Sequence, residues 1–178
     1  MIYKSVSQIF ETIDKTRERI FKRVEEMSDE RLNSRPAPNA WSVTEIVEHL
    51  AKIESLLLGM MKVMLTKAES VSEKSDGAQV EFKPFSLDEL IERARKEKYT
   101  APESASPGGK EKMSDSLAQL RWSRQELHSL KPRVEAMDLS NVTYRHPAFG
   151  PLNFYQWLAF IGVHEERHLR QIESALSS

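Results

Sequence analysis

The C-terminal part of the chain carries an apolar stripe that two histidines interrupt. Apolar residues recur three or four positions apart from Phe154 to Leu176, the spacing that places them on one face of an α-helix. His164 and His168 occupy steps of this stripe, between Ile161 and Ile172. A helix that buries this face therefore buries two imidazole rings one turn apart, and both rings then need polar partners.

Three further long stretches show the same helical periodicity. They are predicted at Val6–Met27, from the N-cap Ser42 to about Lys67, and from about Ser114 to a stop or kink at Pro132. A short extra helix is expected from Ser86 to about Lys98, in the connection between the second and third long helices. No stretch alternates as a half-buried strand does. The chain is therefore predicted to be an all-α four-helix bundle that forms one domain over residues 1–178.

Proline, glycine and serine set the boundaries of these helices. Capping boxes mark three helix starts, where Ser42 pairs with Glu45, Ser86 with Glu89 and Asn153 with Gln156. Irregular connections are predicted at 28–40, 68–83, 99–109 and 137–152. Connections of this length permit crossover topologies, so a simple up-and-down order does not follow from the sequence.

The composition excludes several classes of function. A net charge of −1 provides no field that would hold nucleic acid or an anionic membrane. The absence of cysteine rules out disulfides, thiolate zinc sites and cysteine nucleophiles. The longest apolar run, residues 56–61, is too short to span a membrane, and no signal peptide is evident. We therefore expect a cytoplasmic protein whose partner is a small-molecule substrate.

A third histidine makes a metal site the leading interpretation of the C-terminal pair. His49 lies at the margin of the apolar stripe on the second long helix. Three neutral imidazoles that converge inside a bundle ligate a divalent metal and leave one coordination position open. Such a set suits zinc, nickel, iron or copper, with zinc or nickel as the leading candidates. The alternative is that each ring is simply hydrogen-bonded in the core, and the histidine spacing alone does not decide between the two.

Four other residues are candidates for roles at such a site. Glu45, one turn before His49, is a candidate proton carrier, although a capping-box role is the simpler interpretation. Gln171, one turn after the C-terminal pair, either orients a ring or contacts a ligand. Arg167 and His146 are candidates for cofactor binding, with an ion pair and a surface loop as their respective alternatives.

These motifs occur in an order that resembles a known family. They are Trp41-Ser42-x-x-Glu45-Ile46-x-x-His49-Leu50, His146-Pro147-Ala148-Phe149-Gly150-Pro151-Leu152-Asn153, Gln156-Trp157-Leu158 and His164-Glu165-x-Arg167-His168-x-x-Gln171. The combination resembles the DinB-like superfamily, and within it the YfiT-type branch of metal-dependent hydrolases. The resemblance implies a four-helix bundle with a divalent metal on His49, His164 and His168.

The resemblance also implies a chemistry. Relatives act as S-transferases or isomerases that use low-molecular-weight thiols such as bacillithiol, mycothiol or glutathione. We therefore expect a metal that lowers the pKa of a thiol or water and presents it to a small electrophile. The alternatives are a metal-dependent hydrolase and a non-catalytic metal-binding or stress-related bundle. A pocket of roughly a few hundred Å³ beside the metal would favour an enzyme. A homodimer is expected by analogy.

Overall fold

Four long helices form the body of the molecule. A computed structural model of the protein describes residues 1–72, 82–96 and 103–176. The long helices are α1 (Val6–Glu25), α3 (Val43–Ser72), α5 (Met113–Ser129) and α7 (Phe154–Leu176). Helix α1 packs along α7, and α3 packs along both α5 and α7, which confirms the four-helix bundle. Within the described ranges, no helix has both the length and the apolar character needed to cross a bilayer.

Short elements occupy the connections. They are α2 (Asp29–Asn33), α4 (Asp88–Lys96), a 3₁₀ turn (Glu103–Ala105) and α6 (Lys131–Glu135). Pro132 lies in the first turn of α6, so α5 ends just before it, as predicted. The expected end of the short helix at Lys98 lies outside the described residues, as do parts of the connections predicted at 68–83 and 99–109.

Two of the three predicted capping boxes are present, whereas Ser86 Oγ accepts the amide of Asp88, at 3.1 Å, rather than that of Glu89. The Glu45 amide donates to Ser42 Oγ at 3.2 Å, and the Ser42 amide donates to the Glu45 carboxylate at 2.9 Å. The same exchange joins Asn153 and Gln156 through two bonds of 2.9 Å. Each box satisfies amides that the first turn of a helix otherwise leaves without acceptors. These boxes fix where the two histidine-bearing helices begin.

Two predicted connections are more helical than expected. Helix α3 continues to Ser72 rather than ending near Lys67. Glu69, in the additional turn, accepts two bonds of 2.7 Å from the Arg133 guanidinium, which ties that turn to α6. The connection at 28–40 contains α2, because Leu32 is buried there and anchors one helical turn.

The prediction of a chain without strands is wrong at two places. Strand β3 (Thr143–His146) pairs antiparallel with β4 (Gly150–Asn153) in the connection predicted to be irregular. Gly150 has a φ of +80° where the second strand begins, a conformation that glycine adopts without steric cost. A two-residue ladder joins β1 (Ile2–Tyr3) to β2 (Phe85–Ser86). Strands this short do not show the alternation by which a sequence predicts them.

A polar layer crosses the bundle between two apolar clusters. It consists of Arg17 on α1, Glu54 on α3, Arg124 on α5 and Glu165 on α7, all buried. Arg17 Nε and Arg124 Nη2 donate to Glu165 Oε1 at 2.9 and 3.0 Å, and both arginines also bond Glu54. On each long helix, residues of one apolar cluster precede the layer and residues of the other follow it. All four helices are thus joined at one level.

Candidate metal centre

Three histidines from two helices meet one turn away from the polar layer. His49 comes from α3, and His164 and His168 come from α7. The Nε2 atom of His164 lies 3.3 Å from Nε2 of His49 and 3.2 Å from Nε2 of His168. One ring nitrogen from each histidine lies within 4.8 Å of the other two. The structure therefore brings together the three residues that the sequence predicts to be metal ligands; we call them the triad.

Two of the three rings have a fixed tautomer. Nδ1 of His49 lies 2.8 Å from the carbonyl oxygen of Ala105, and Nδ1 of His168 lies 3.0 Å from Oε1 of Gln171. Because these oxygens only accept hydrogen bonds, each Nδ1 carries the proton and donates it. The Nε2 atom of both rings is then left with an unshared electron pair. Gln171 has the first of its two predicted roles, since it orients a ring of the triad.

The donor arrangement fits a divalent cation. Two unshared pairs face Nε2 of His164 at 3.2 and 3.3 Å. A proton on that nitrogen would satisfy only one of them, whereas one cation satisfies all three nitrogens. A tetrahedral zinc ion with Zn–N bonds of about 2.0–2.1 Å places its ligand nitrogens about 3.3 Å apart. The two measured separations match that value.

The electrostatic environment keeps the rings neutral. Burial lowers the pKa of His168 to about 3, and it lowers the pKa of His164 well below the ordinary value. The pKa of His49 is also lowered, again chiefly by burial. The positive charge of Arg167, an exposed neighbour, lowers all three pKa values further. At neutral pH the triad therefore presents lone pairs rather than protons, as a metal requires.

The triad meets solvent on one side only. The exposed fraction is 3% for His49 and 5% for His168, whereas His164 is half-buried. The ring of Trp41 packs on His49 with ring centroids 5.1 Å apart, which closes the α3 side. His164 is therefore the member of the triad most accessible to solvent, and Arg167, whose charge acts on all three rings, is exposed.

Glu45 and His146 do not join the triad. Glu45 bonds the Ser42 amide and the Arg35 guanidinium, so it has the capping role rather than that of a proton carrier. His146 lies half-buried in the β3–β4 hairpin, and its Nδ1 accepts the amides of Ala148 and Phe149 at 3.1 and 3.3 Å. Its ring packs on the rings of Trp157 and Phe160, with centroids 5.1 Å away in each case. Phe160 in turn lies 6.5 Å from the ring of His164.

Glu165 has no role predicted from the sequence, although a known pattern includes it. Glu165 follows His164 in the order His-Glu-x-x-His, which in zinc peptidases supplies two ligands and a general base. Here its Oε1 accepts from Arg17 and Arg124 in the polar layer, which is incompatible with that role for this oxygen. Its Oε2 contacts no donor in the described ranges. Glu165 and His164 line a cavity of about 10 Å³, which is room for about one water molecule.

Comparison with known proteins gives the family. The uncharacterized protein YuaE of Bacillus subtilis (strain 168) is 30% identical over 148 residues, which are 83% of this chain and 84% of YuaE. The structure of TT2238, a four-helix bundle protein, is similar with a TM-score of 0.62 at 19% identity, over 96% of this chain and 99% of that one.

A second solved structure is similar along most of the chain. YfiT from Bacillus subtilis, described as a probable metal-dependent hydrolase with an unusual four-helix bundle topology, gives a TM-score of 0.61 at 16% identity, over 95% of this chain and 84% of YfiT. Residues 12–172 match the family model of the DinB superfamily. Because that match spans most of the chain, with all three histidines and the greater part of each long helix, the chain belongs to the DinB superfamily.

Proposed function

We propose that this protein is a divalent-metal-dependent enzyme that transfers a low-molecular-weight thiol to a small electrophile. The observation that carries the proposal is the pair of fixed tautomers, because it directs two unshared pairs at the third ring of the triad. His49, His164 and His168 would hold zinc or nickel. A divalent cation there would lower the pKa of a bound thiol or water and so supply a nucleophile.

The carboxylates near the triad favour a thiol over water as the nucleophile. In the described part of the chain Glu45 bonds Arg35, Glu48 bonds Lys52, and Glu165 bonds the polar-layer arginines through Oε1, so that among these three carboxylates only Oε2 of Glu165 lacks a donor. A water nucleophile usually requires such a group as a general base. A thiol has a pKa of about 8.5, far below that of water, and a metal deprotonates it without a base.

Two other residues have positions suited to binding the reactants. Arg167, three residues after His164 on α7, is exposed, and its guanidinium would pair with the carboxylate of an anionic thiol cofactor. Because Nδ1 of His146 accepts two amides, the neutral ring carries its proton on Nε2 and can donate it to a ligand. The rings of Trp157 and Phe160 would provide the apolar surface for an electrophile.

Two observations support alternative functions for the same site. The description of YfiT as a probable metal-dependent hydrolase supports hydrolysis at the same site. The small cavity beside His164 supports a non-catalytic metal-binding protein, since an enzyme pocket usually has hundreds of Å³. A larger cavity of about 280 Å³ lies at the end of the bundle, between Arg23 and Leu176, and none of the triad lines it.

A thiol-transfer assay separates the three candidates. Zinc- or nickel-loaded protein is incubated with monochlorobimane and, in turn, bacillithiol, mycothiol or glutathione. We expect a rate above the protein-free blank with at least one thiol, and its loss in His164→Ala. A rate equal to the blank with every thiol would overturn the proposal. Hydrolysis of chromogenic esters would then support the hydrolase, and metal binding without either activity would support the binding protein.

A further inference from the structure

A buried carboxylate beside the triad faces away from it. Glu48 precedes His49 on α3 and is 2% exposed. Its Oε1 accepts the Gly108 amide at 2.7 Å, and its Oε2 accepts the Gly109 amide at 3.1 Å. Lys52, one turn further along α3, donates from Nζ to the same Oε1 at 2.7 Å. Two of the three donors to Glu48 are thus backbone amides of the segment that precedes α5, and the third is a side chain of α3.

The same segment contacts the triad at Ala105, three residues before Gly108. We call residues 103–109 the strap. Lys52 Nζ also donates to the Ser106 carbonyl at 3.1 Å, and the Ala105 carbonyl accepts Nδ1–H of His49 at 2.8 Å. Ala105 itself is fully buried. Gly109 has a φ of +67°, which glycine adopts readily and which side-chain-bearing residues rarely do. The strap is therefore fastened to α3 by Glu48 and Lys52, which lie on either side of His49 along that helix.

We propose that Glu48 is a positioning residue for the metal ligand His49. By holding the strap, it keeps the Ala105 carbonyl where that oxygen fixes the tautomer and direction of the His49 ring. The inference rests on the proposed function in one respect, namely that His49 binds a metal. Outer-sphere acceptors of this kind orient ligand histidines and raise their basicity.

The charge of Glu48 makes this attachment strong. Glu48 is buried and accepts one hydrogen bond from the Lys52 ammonium and two from the Gly108 and Gly109 amides, a donor set suited to an ionised carboxylate. Hydrogen bonds to an ionised acceptor are shorter and stronger than those between neutral groups.

Zinc affinity tests the proposal with a matched pair of variants. Glu48→Gln keeps the shape of the side chain and removes its charge. Glu126→Gln makes the same change in the control ion pair. There Lys62 Nζ on α3 lies 2.7 Å from the Glu126 carboxylate on α5, and neither residue contacts the triad. We expect Glu48→Gln to weaken zinc binding about 10- to 100-fold in a chelator competition, as loss of outer-sphere support does elsewhere. Glu126→Gln should leave the affinity unchanged, and equal affinities in the two variants would overturn the proposal.

Exchange of the imidazole protons distinguishes positioning from general loss of stability. In Glu48→Gln, Nδ1–H of His49 should exchange with water about tenfold faster, as after loss of one hydrogen bond, whereas Nδ1–H of His168, which bonds Gln171, should be unaffected. Lys52→Met should also accelerate the exchange of Nδ1–H of His49, and it is the variant to test if Glu48→Gln does not fold. Equal acceleration at both rings would overturn the proposal. The comparison also works in metal-free protein, so failure to bind zinc would count against the proposed function alone.

Discussion

The proton on Nδ1 of His49 and of His168 decides what the triad can bind. Each proton is held by an oxygen, the Ala105 carbonyl in one case and the Gln171 side chain in the other. The two rings thereby become acceptors at Nε2, and His164 completes the set. Without the two oxygens, the same rings could satisfy one another as a chain of hydrogen bonds, and the need for a cation would disappear.

Replacement of His164 tests this account directly. His164→Ala removes the nitrogen that both other rings face, so two ligands remain and tight binding should be lost. After zinc loading and dialysis, elemental analysis should find about one zinc ion per wild-type chain and almost none per variant chain.

His128→Ala is the matched control for this substitution. It removes an exposed histidine that bonds Asp14 on another face of the bundle. It should therefore retain the wild-type zinc content. Retention of zinc by His164→Ala would contradict the triad as the binding site.

The triad and one of its supports, Gln171, could be predicted from the sequence, but the support of His49 could not. His164 and His168 stand out because they occupy an apolar stripe at helical spacing, where an imidazole needs a partner. Ala105 does not stand out, because a backbone carbonyl has no signature in the side chain that carries it. Glu48 likewise looks like a solvated helix residue until the strap is placed against α3.

Helix α7 approaches α1 closely at Gly162. A Cβ atom added there would lie 3.0 Å from Cγ2 of Ile13, whose side chain is fully buried and β-branched. At Gly59, on the exposed side of α3, an added Cβ would meet nothing within 4 Å. One glycine is therefore needed for helix packing and the other is not.

The two glycines predict stability changes of opposite sign. Gly59→Ala should raise the free energy of unfolding by about 0.5–1 kcal/mol through helix propensity. Gly162→Ala should lower it by about 1 kcal/mol, because overpacking against Ile13 outweighs the same gain. Urea denaturation of both variants measures the difference. A stabilised Gly162→Ala would show that α1 and α7 move apart freely at this contact.

The starts of the elements were more predictable than their ends. Capping boxes rest on side chains three residues apart, so Ser42 and Asn153 could be identified without any tertiary information. The end of α3 depends on Glu69 reaching Arg133 on α6, a contact between residues distant in sequence. The β3–β4 hairpin depends on pairing between strands too short for a periodic pattern.

The polar layer joins all four long helices at the centre of the molecule. Arg17 donates to both Glu54 and Glu165 and also to the Leu120 carbonyl at 2.7 Å. Removal of one arginine would leave the buried carboxylates without full charge compensation. The resulting loss of folding free energy exceeds the net stabilisation that the intact network provides. A layer of fixed charge also penalises any alternative alignment of the helices, since a shift of one turn would place charge against an apolar cluster.

Arg17→Met should therefore be severely destabilising, by about 3–5 kcal/mol in the free energy of unfolding. The matched control is Arg121→Met, whose guanidinium lies 3.1 Å from Glu25 in an exposed pair. It should cost no more than about 1 kcal/mol. Chemical denaturation compares the two, and a similar cost for both would mean that the layer contributes little beyond an ordinary surface pair.

The whole molecule should lose stability in mild acid when it is metal-free. The pKa of His168 is lowered to about 3 in the folded protein, and burial lowers the pKa of His49 and His164 as well. In the unfolded chain these rings titrate near pH 6.5. Below that pH the unfolded chain takes up protons that the folded protein does not. Acid therefore favours unfolding by about 1.4 kcal/mol per pH unit through His168 between about pH 6.5 and pH 3, and His49 and His164 act in the same direction, whereas stability from this source is complete above pH 6.5.

A histidine variant isolates this effect from the titration of carboxylates. Urea denaturation of metal-free protein between about pH 7.5 and pH 5 stays above the range in which most carboxylates titrate. His168→Asn removes one of the contributing rings, so its stability should fall by about 1.4 kcal/mol less per pH unit below pH 6.5 than that of the wild type. Equal slopes would mean that His168 is protonated in the folded protein. That result would remove one of the two lone pairs on which binding of a cation depends.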